Sequence, residues 1–298
     1  MIFSPGKLLL TSEYAVLDGA KALALPTKWG QELFVEPLTE NSSRIHWKAF
    51  HQHDLWLEAS IDYQTETIIN SNNPEAAAFV LKVIQTLKHL QSASLTENKS
   101  WSLKTNLQFP ANYGLGSSST LMNNLAQWAG VDAFELNEKC LGGSGYDIAV
   151  AQQQTSILYM ARPVRTVEPV ALDWPFKEEL IFIHLNQKQN SREGISLYRS
   201  RPTSEALLAQ CTELTERTRL AQDLETFSQI MTEHEQTLAD FLGLKTVKKQ
   251  YFSDCPAFVK SLGAWGGDFV MSHQFSGYRE YFAQRGFSTV FKWSEIIL

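Results

Sequence analysis

One segment constrains the fold of this chain more than any other: PANYGLGSSSTLMNNLAQW, residues 110–128. Before it, WSLKTNLQF (101–109) alternates as a strand does, and after it LMNNLAQWAG (121–130) has a helical pattern closed by a glycine. A strand that turns through two glycines and three serines into a helix demands mixed α and β structure. It also leaves backbone N–H groups unpaired at the positive end of a helix. Gly114 and Gly116 permit close backbone approach and the serines add hydroxyl donors, so the turn suits a phosphate chain. A serine N-cap would explain a helix start, but it needs one serine and no paired glycines. The segment is not a Walker loop, because no Gly-Lys-Ser/Thr follows, and it does not match G-x-G-x-x-G.

The rest of the chain reads as alternating elements in two halves. Strands fill most of the first seventy residues, HWKAFHQHDLWLEASIDY from 46 onward among them. PEAAAFVLKVIQTLKHL (74–90) is a helix with Pro74 in its first turn. FELNEKCLGG (134–143) and YDIAVAQQQ (146–154) follow as short helices, then TSILYMA (155–161) as a strand. Three prolines in 162–179 mark a linker, and ELIFIHL (179–185) restarts the strand pattern. Helices are expected at about 203–220 and 223–242. Residues 253–273 are expected to run helix, glycine turn, strand. A helix near 277–285 and a strand near 288–293 close the chain. The expected domains are 1–165 and 166–298.

Composition bounds the function. With 298 residues, 44 % of them hydrophobic, the chain can build one large or two ordinary cores. A net charge of −6 argues against a nucleic-acid binder. No apolar run reaches the ~18 residues of a membrane span, and the start lacks a basic signal region, so the expectation is a cytoplasmic protein without a membrane partner. Cys140, Cys211 and Cys255 are scattered, as reduced thiols without zinc spacing. His51 and His53 stand two apart on a strand pattern, without an evident third metal ligand.

Three further segments carry chemistry. In LGGSGYDIAVA (141–151), Asp147 follows a glycine turn at a helix start, where a carboxylate either caps the helix or deprotonates a hydroxyl. GAWGGDFVMSH (263–273) places glycines between two elements. SPGKLLLTSEYAVLDG (4–19) sets Lys7 and Glu13 in apolar surroundings, where a lysine needs an acid or a phosphate as partner.

In this order the four segments resemble the GHMP kinases, the family of galactokinase, homoserine kinase, mevalonate kinase and phosphomevalonate kinase. P-G-K with S-E-Y-A-V-L-D-G looks like that family's first motif, and P-A-N-Y-G-L-G-S-S-S-T like its phosphate loop. G-G-S-G-Y-D-I-A is similar to the segment holding its catalytic aspartate, and L-G-A-W-G-G-D-F to its third motif. The resemblance spans roughly residues 4–273. It implies an α+β fold with an N-terminal ribosomal-protein-like α/β domain containing a left-handed crossover and a C-terminal ferredoxin-like domain, with ATP and acceptor between them. It implies that Gly114, Leu115, Gly116, Ser117, Ser118 and Ser119 wrap the ATP phosphates, and that Ser118 with Glu138 or Glu135 holds magnesium. Asp147 is then the general base and Lys7 its cationic partner. Glu13, Tyr14, Ser144, Gly145, Gly266 and Gly267 line the acceptor site, with Gly263 beside them. Trp265 and Asp268 depart from the family's longer glycine run and narrow the site.

The acceptor expected from the resemblance is a small anionic molecule of the isoprenoid branch, mevalonate or phosphomevalonate. Tyr14 after Glu13, and Ser144-Gly145-Tyr146-Asp147, look like the phosphomevalonate enzyme. Lys188, Ser191 and Arg192 in NQKQNSREG (186–194) suit a carboxylate or phosphate. Homoserine or a sugar as acceptor, and a non-catalytic nucleotide or metabolite binder of the same fold, are the alternatives. An ATP-dependent decarboxylase is disfavoured, since its serine- and arginine-rich loop is missing. A monomer or homodimer is expected.

Overall fold

The computed structural model describes residues 1–40, 42–95, 99–187 and 191–298, with positions 191 and 192 described for backbone only. The chain divides into two compact units. Unit 1 comprises Met1–Gly6, Trp29–Ala111 and Leu115–Gln154; unit 2 comprises Lys7–Lys28, Asn112–Gly114 and Thr155–Leu298. The last passage from one to the other is at Gln154, so the boundary expected at 165/166 falls inside unit 2. That unit also takes in an early segment and three residues of the glycine turn.

The strands and helices through Gln153 are β1 (Ile2–Leu9), β2 (Ala22–Leu38), β3 (Arg44–His51), β4 (Asp54–Asp62), β5 (Thr67–Ser71), α1 (Pro74–His89), β6 (Ser100–Leu107), α2 (Ser117–Ala129), α3 (Ala133–Cys140) and α4 (Tyr146–Gln153). In unit 1 the sheet order is β5-β4-β3-β6-β2, with β3 and β6 parallel and the other neighbours antiparallel. Alternation decides which face is buried. Ile45, Trp47 and Ala49 of β3 pair in register with Ile61, Ala59 and Leu57 of β4, and all six side chains are buried. Over that face pack Val80, Val83, Ile84 and Leu87 of α1 and Met122, Leu125 and Ala126 of α2. Asn73 caps α1, its side chain accepting from the Ala76 N–H, with Pro74 at the first helical position. Gln52 and His53 form the β3–β4 turn, and His51 stacks on Trp56, so the two histidines do not share one strand face.

A buried polar network ties α2 to the strands. Ser4 Oγ donates to Asn124 Oδ1 (2.7 Å) and accepts from Asn123 Nδ2 (2.8 Å). Asn124 Nδ2 donates to the Gln31 carbonyl (2.8 Å), and Thr120 Oγ1 to Gln31 Oε1 (2.8 Å). Asn123 and Asn124 have no solvent exposure, so every one of these bonds forms in a medium where an unmade one is costly. The network fixes α2 against β1 and β2 within about two turns of its start.

The remaining elements are β7 (Ile157–Met160), β8 (Thr166–Pro169), β9 (Leu180–His184), α5 (Ser191–Arg199), α6 (Glu205–Leu220), α7 (Leu224–Leu242), α8 (Val247–Tyr251), β10 (Lys260–Leu262), β11 (Phe269–His273), α9 (Tyr278–Gln284), β12 (Val290–Lys292) and α10 (Trp293–Ile296). In unit 2 the start of β2 pairs with β7, and β7 with β8. A second, antiparallel sheet runs β10-β11-β9-β12. Counted in chain order its strands lie 4-1-3-2, with helices after the first and third, which is the ferredoxin-like arrangement.

Two expectations need correction. Residues 253–262 are not a helix: they lead through Cys255, Ala257 and Phe258, all buried, into β10. Apolar spacing in so short a run does not separate a helix from a buried strand, and the sheet decided it. The supposed linker 162–179 holds β8 and a buried aromatic cluster in which Trp174 meets Phe176, Phe227 and Trp293. Among the described residues no helix is long and apolar enough to cross a membrane.

Candidate functional site

The glycine–serine turn keeps its donors. Helix α2 is capped by Gly116 in the left-handed region (φ 85°), without a side-chain cap, so no serine serves as N-cap. The first helical bond runs from the Thr120 N–H to the Gly116 carbonyl (2.9 Å). The amides of Ser117, Ser118 and Ser119 precede that bond and have no place in the helical ladder. Ser118 is exposed, whereas the Ser119 hydroxyl donates back to the Gly116 carbonyl (3.0 Å). Ser119 thus offers its amide and not its hydroxyl proton. Leu115 is fully buried and anchors the turn in unit 1.

Asp147 is likewise not a cap. Gly145 (φ 87°) holds the N-cap position of α4, Tyr146 follows as a buried side chain, and Asp147 stands half-buried in the first turn. A carboxylate there lies in the favourable field of the helix start. Ser144 is half-buried and Gly145 buried. Helices α2 and α4 pack against each other.

In unit 2, Asn112–Gly114 is held from several sides. The Tyr113 ring lies 4.5 Å from His184 and 5.4 Å from Phe269 between centroids. Lys7 Nζ donates to the Gly114 carbonyl (3.1 Å). Gly114 has φ 65°, and a Cβ there would stand 1.9 Å from Asp268 Oδ2, so the Asp268 carboxylate occupies the space a side chain would need. Asp268 is itself fixed, its N–H donating to the Gln187 carbonyl and its carbonyl accepting from the Leu185 N–H.

Behind Tyr14 lies a buried ionic cluster. Glu13, 1 % exposed, accepts from Lys260 Nζ, which has no exposure and also donates to the Ser261 carbonyl (2.6 Å). Burial pushes the Glu13 carboxyl up to about 7 against the pull of the Lys260 ammonium. His234 Nε2 accepts from the Ser12 N–H (2.8 Å), which leaves the proton on Nδ1, 3.8 Å from Glu13 Oε2. Burial and Lys260 keep this histidine well below its ordinary range, hence neutral. Glu235 accepts from the Val247 and Ser261 N–H groups (3.0 Å each), and burial raises it. The cluster joins the segment bearing Tyr14 to β10, immediately before the glycine turn. Glu13 therefore sits in the interior, holding structure.

The glycine turn at 263–267 spends its amides internally. The Trp265 N–H donates to Tyr14 Oη (2.7 Å), the Gly266 N–H to Ser261 Oγ (3.0 Å) and the Gly267 N–H to the Ala264 carbonyl (3.2 Å). Gly266 and Gly267, expected to face the acceptor, serve the turn itself with these groups. Tyr14 is 7 % exposed and stacks on Tyr198 at 6.0 Å.

Of the other expected residues, Lys188 lies outside the described residues, as do the side chains of Ser191 and Arg192. Glu135 and Glu138 are both exposed on α3, and Glu135 pairs with Lys139 (3.6 Å). Among the described residues no group of three or more His, Cys, Asp or Glu is placed to hold a metal ion. Sequence reasoning missed Lys260, His234 and Glu235. Only the lysine carried a signal, as a cation inside an apolar run.

No family model matches this sequence, and no curated protein matches it. Solved structures do match. The phosphomevalonate kinase of Streptococcus pneumoniae, in complex with phosphomevalonate and AMPPNP, aligns with a TM-score of 0.72 at 15 % identity, over 98 % of this chain and 99 % of that one. The mevalonate kinase of Methanococcus jannaschii gives 0.68 at 14 % identity, covering 97 % and 96 %. The galactokinase of Lactococcus lactis, complexed with galactose, gives 0.67 at 13 % identity, covering 97 % and 92 %. The chain has the fold of the GHMP kinases over nearly its whole length.

Proposed function

We propose that this protein is an ATP-dependent phosphotransferase acting on a small molecule, with mevalonate and phosphomevalonate as the first acceptors to test. The observation that carries the reading is the start of α2, where Gly116 caps the helix and the amides of Ser117, Ser118 and Ser119 lie ahead of its first internal bond. A nucleotide fits that donor set, because oriented N–H groups at a helix start suit phosphate oxygens and nothing acidic stands in the first turn of α2. The solved neighbours on this fold, which act on mevalonate, phosphomevalonate and galactose, support the reading.

When bound, ATP supplies the phosphoryl group. The three serine amides would donate to its oxygens and hold them in place, which is most of what phosphoryl transfer asks of a protein. Asp147 would take the proton of an alcohol acceptor, and Lys7 would offset negative charge. Magnesium finds no preformed cage among the described residues, and no step here depends on one.

The test is an ATP-consumption screen with mevalonate, phosphomevalonate, homoserine and galactose. Turnover on one compound is the expected result, and Asp147→Asn should cut it by ~100-fold for an alcohol acceptor. Nucleotide binding without transfer to any acceptor would favour the second reading, a non-catalytic binder. That reading draws on the Asp268 carboxylate against Gly114, a negative charge beside the proposed phosphate loop. Absence of nucleotide binding would end both.

A further inference from the structure

Trp265 interrupts the glycine turn, and the indole walls a cavity. The space, about 190 Å³, lies within unit 2 among Tyr14, Leu197, Leu242, Leu244, Ala264 and Trp265. Gly194 of α5 closes it against Tyr14, where a Cβ would fall 2.3 Å from the tyrosine hydroxyl. We propose that this cavity is a binding site for an uncharged aliphatic or alicyclic group bearing one hydroxyl or carbonyl oxygen.

Five observations lead there. The aliphatic lining comes from α5, the end of α7 and the residue before Trp265, so water inside would meet few partners. The volume somewhat exceeds the ~150 Å³ of a cavity that holds benzene, and falls short of the roughly 300 Å³ at which pockets take whole drug-sized ligands. It therefore suits a small ring or a short branched chain. The indole N–H of Trp265, a residue 8 % exposed, is buried without a hydrogen-bond partner, and an oxygen on the ligand would satisfy it. Tyr14 Oη already accepts from the Trp265 backbone N–H and, kept protonated by burial, retains its own proton to donate. Among the described residues the lining holds one charged residue, the acid Glu193, and no cation to meet an anionic group.

The test uses the full chain labelled with nitrogen-15. The Trp265 indole signal is identified, among those of eight tryptophans, by its loss in Trp265→Phe. Cyclohexanol should shift that signal saturably, and myo-inositol, a polar ring of the same size, should not. Leu197→Phe and Leu244→Phe, which fill the space from separate elements, should each weaken cyclohexanol binding by ~10-fold, so one suffices if the other does not fold. No saturable shift, an equal shift with inositol, or unchanged affinity in the Phe variants would overturn the site. A protein that binds cyclohexanol but transfers no phosphate would lose the kinase reading and keep the cavity.

Discussion

The turn at Tyr113–Ser119 and the turn at Gly263–Gly267 use the same small residues and differ in where their N–H groups go. In the first, a left-handed Gly116 starts a helix and three serine amides are left ahead of its ladder. In the second, the amides of Trp265, Gly266 and Gly267 are taken by Tyr14 Oη, Ser261 Oγ and the Ala264 carbonyl. A glycine-rich turn is thus an anion cradle only when nothing within the protein has claimed its donors. Their supports differ as well: a neutral amide and hydroxyl network holds α2, while the second turn follows an ionic cluster with almost no exposure.

The severest way to break the comparison is to remove the ion pair behind the second turn. Lys260→Met leaves Glu13 buried without its cation and should cost about 3–5 kcal/mol in unfolding free energy, read by urea denaturation. A loss below 1 kcal/mol would mean the pair behaves like an exposed one. Next is Gly114→Ala. The new Cβ meets not only the Asp268 oxygen but its Cγ at 2.2 Å and Cβ at 2.8 Å, so the backbone must move. Together with the left-handed φ, this should cost about 2–3 kcal/mol and abolish nucleotide affinity measured by calorimetry. Affinity equal to that of the parent would remove Gly114 from the phosphate loop.

The ionic cluster also sets a pH dependence made of opposing parts. Glu13, raised from 4.5 to about 7, favours folding fully below pH 4.5 and loses that contribution as pH rises to about 7. Glu235 acts in the same sense. His234, depressed below 6.5, favours folding above that value and loses the contribution as pH falls. Urea midpoints across this range should decline more steeply with rising pH in His234→Gln and less steeply in Glu13→Gln. Identical slopes in both variants would show that neither group titrates on unfolding. The smallest effect sharpens the contrast between the turns. Gly263→Ala has open space around its Cβ and only a left-handed φ of 68° to bear, so about 1 kcal/mol is expected, with nucleotide affinity intact.

Much of the fold was legible. The 3.6-residue spacing in 74–90 and the stop at Pro74 gave α1 within a residue, and alternation gave β6 and marked 46–63 as strand, without the turn that divides it into β3 and β4. Periodicity failed at 253–262, where a short apolar run became β10, and at 162–179, where prolines hid a strand and an aromatic cluster. Within the candidate site, Gly114 to Ser119 and Asp147 were visible because turn chemistry is local. The roles of Glu13, Gly266 and Gly267 were not, because each depends on a partner elsewhere in the chain: Glu13 on a lysine 247 positions away, Gly266 on the Ser261 hydroxyl.

The sequence by itself determined most of the order of elements and the two glycine turns, since these follow from backbone freedom and side-chain periodicity over a few residues. Only the tertiary structure decided which donors stay available, that Lys260, His234 and Glu235 gather around Glu13, and that Trp265 walls a cavity. Donor availability and burial are sums over neighbours far apart in the chain, and no local pattern of residues carries them.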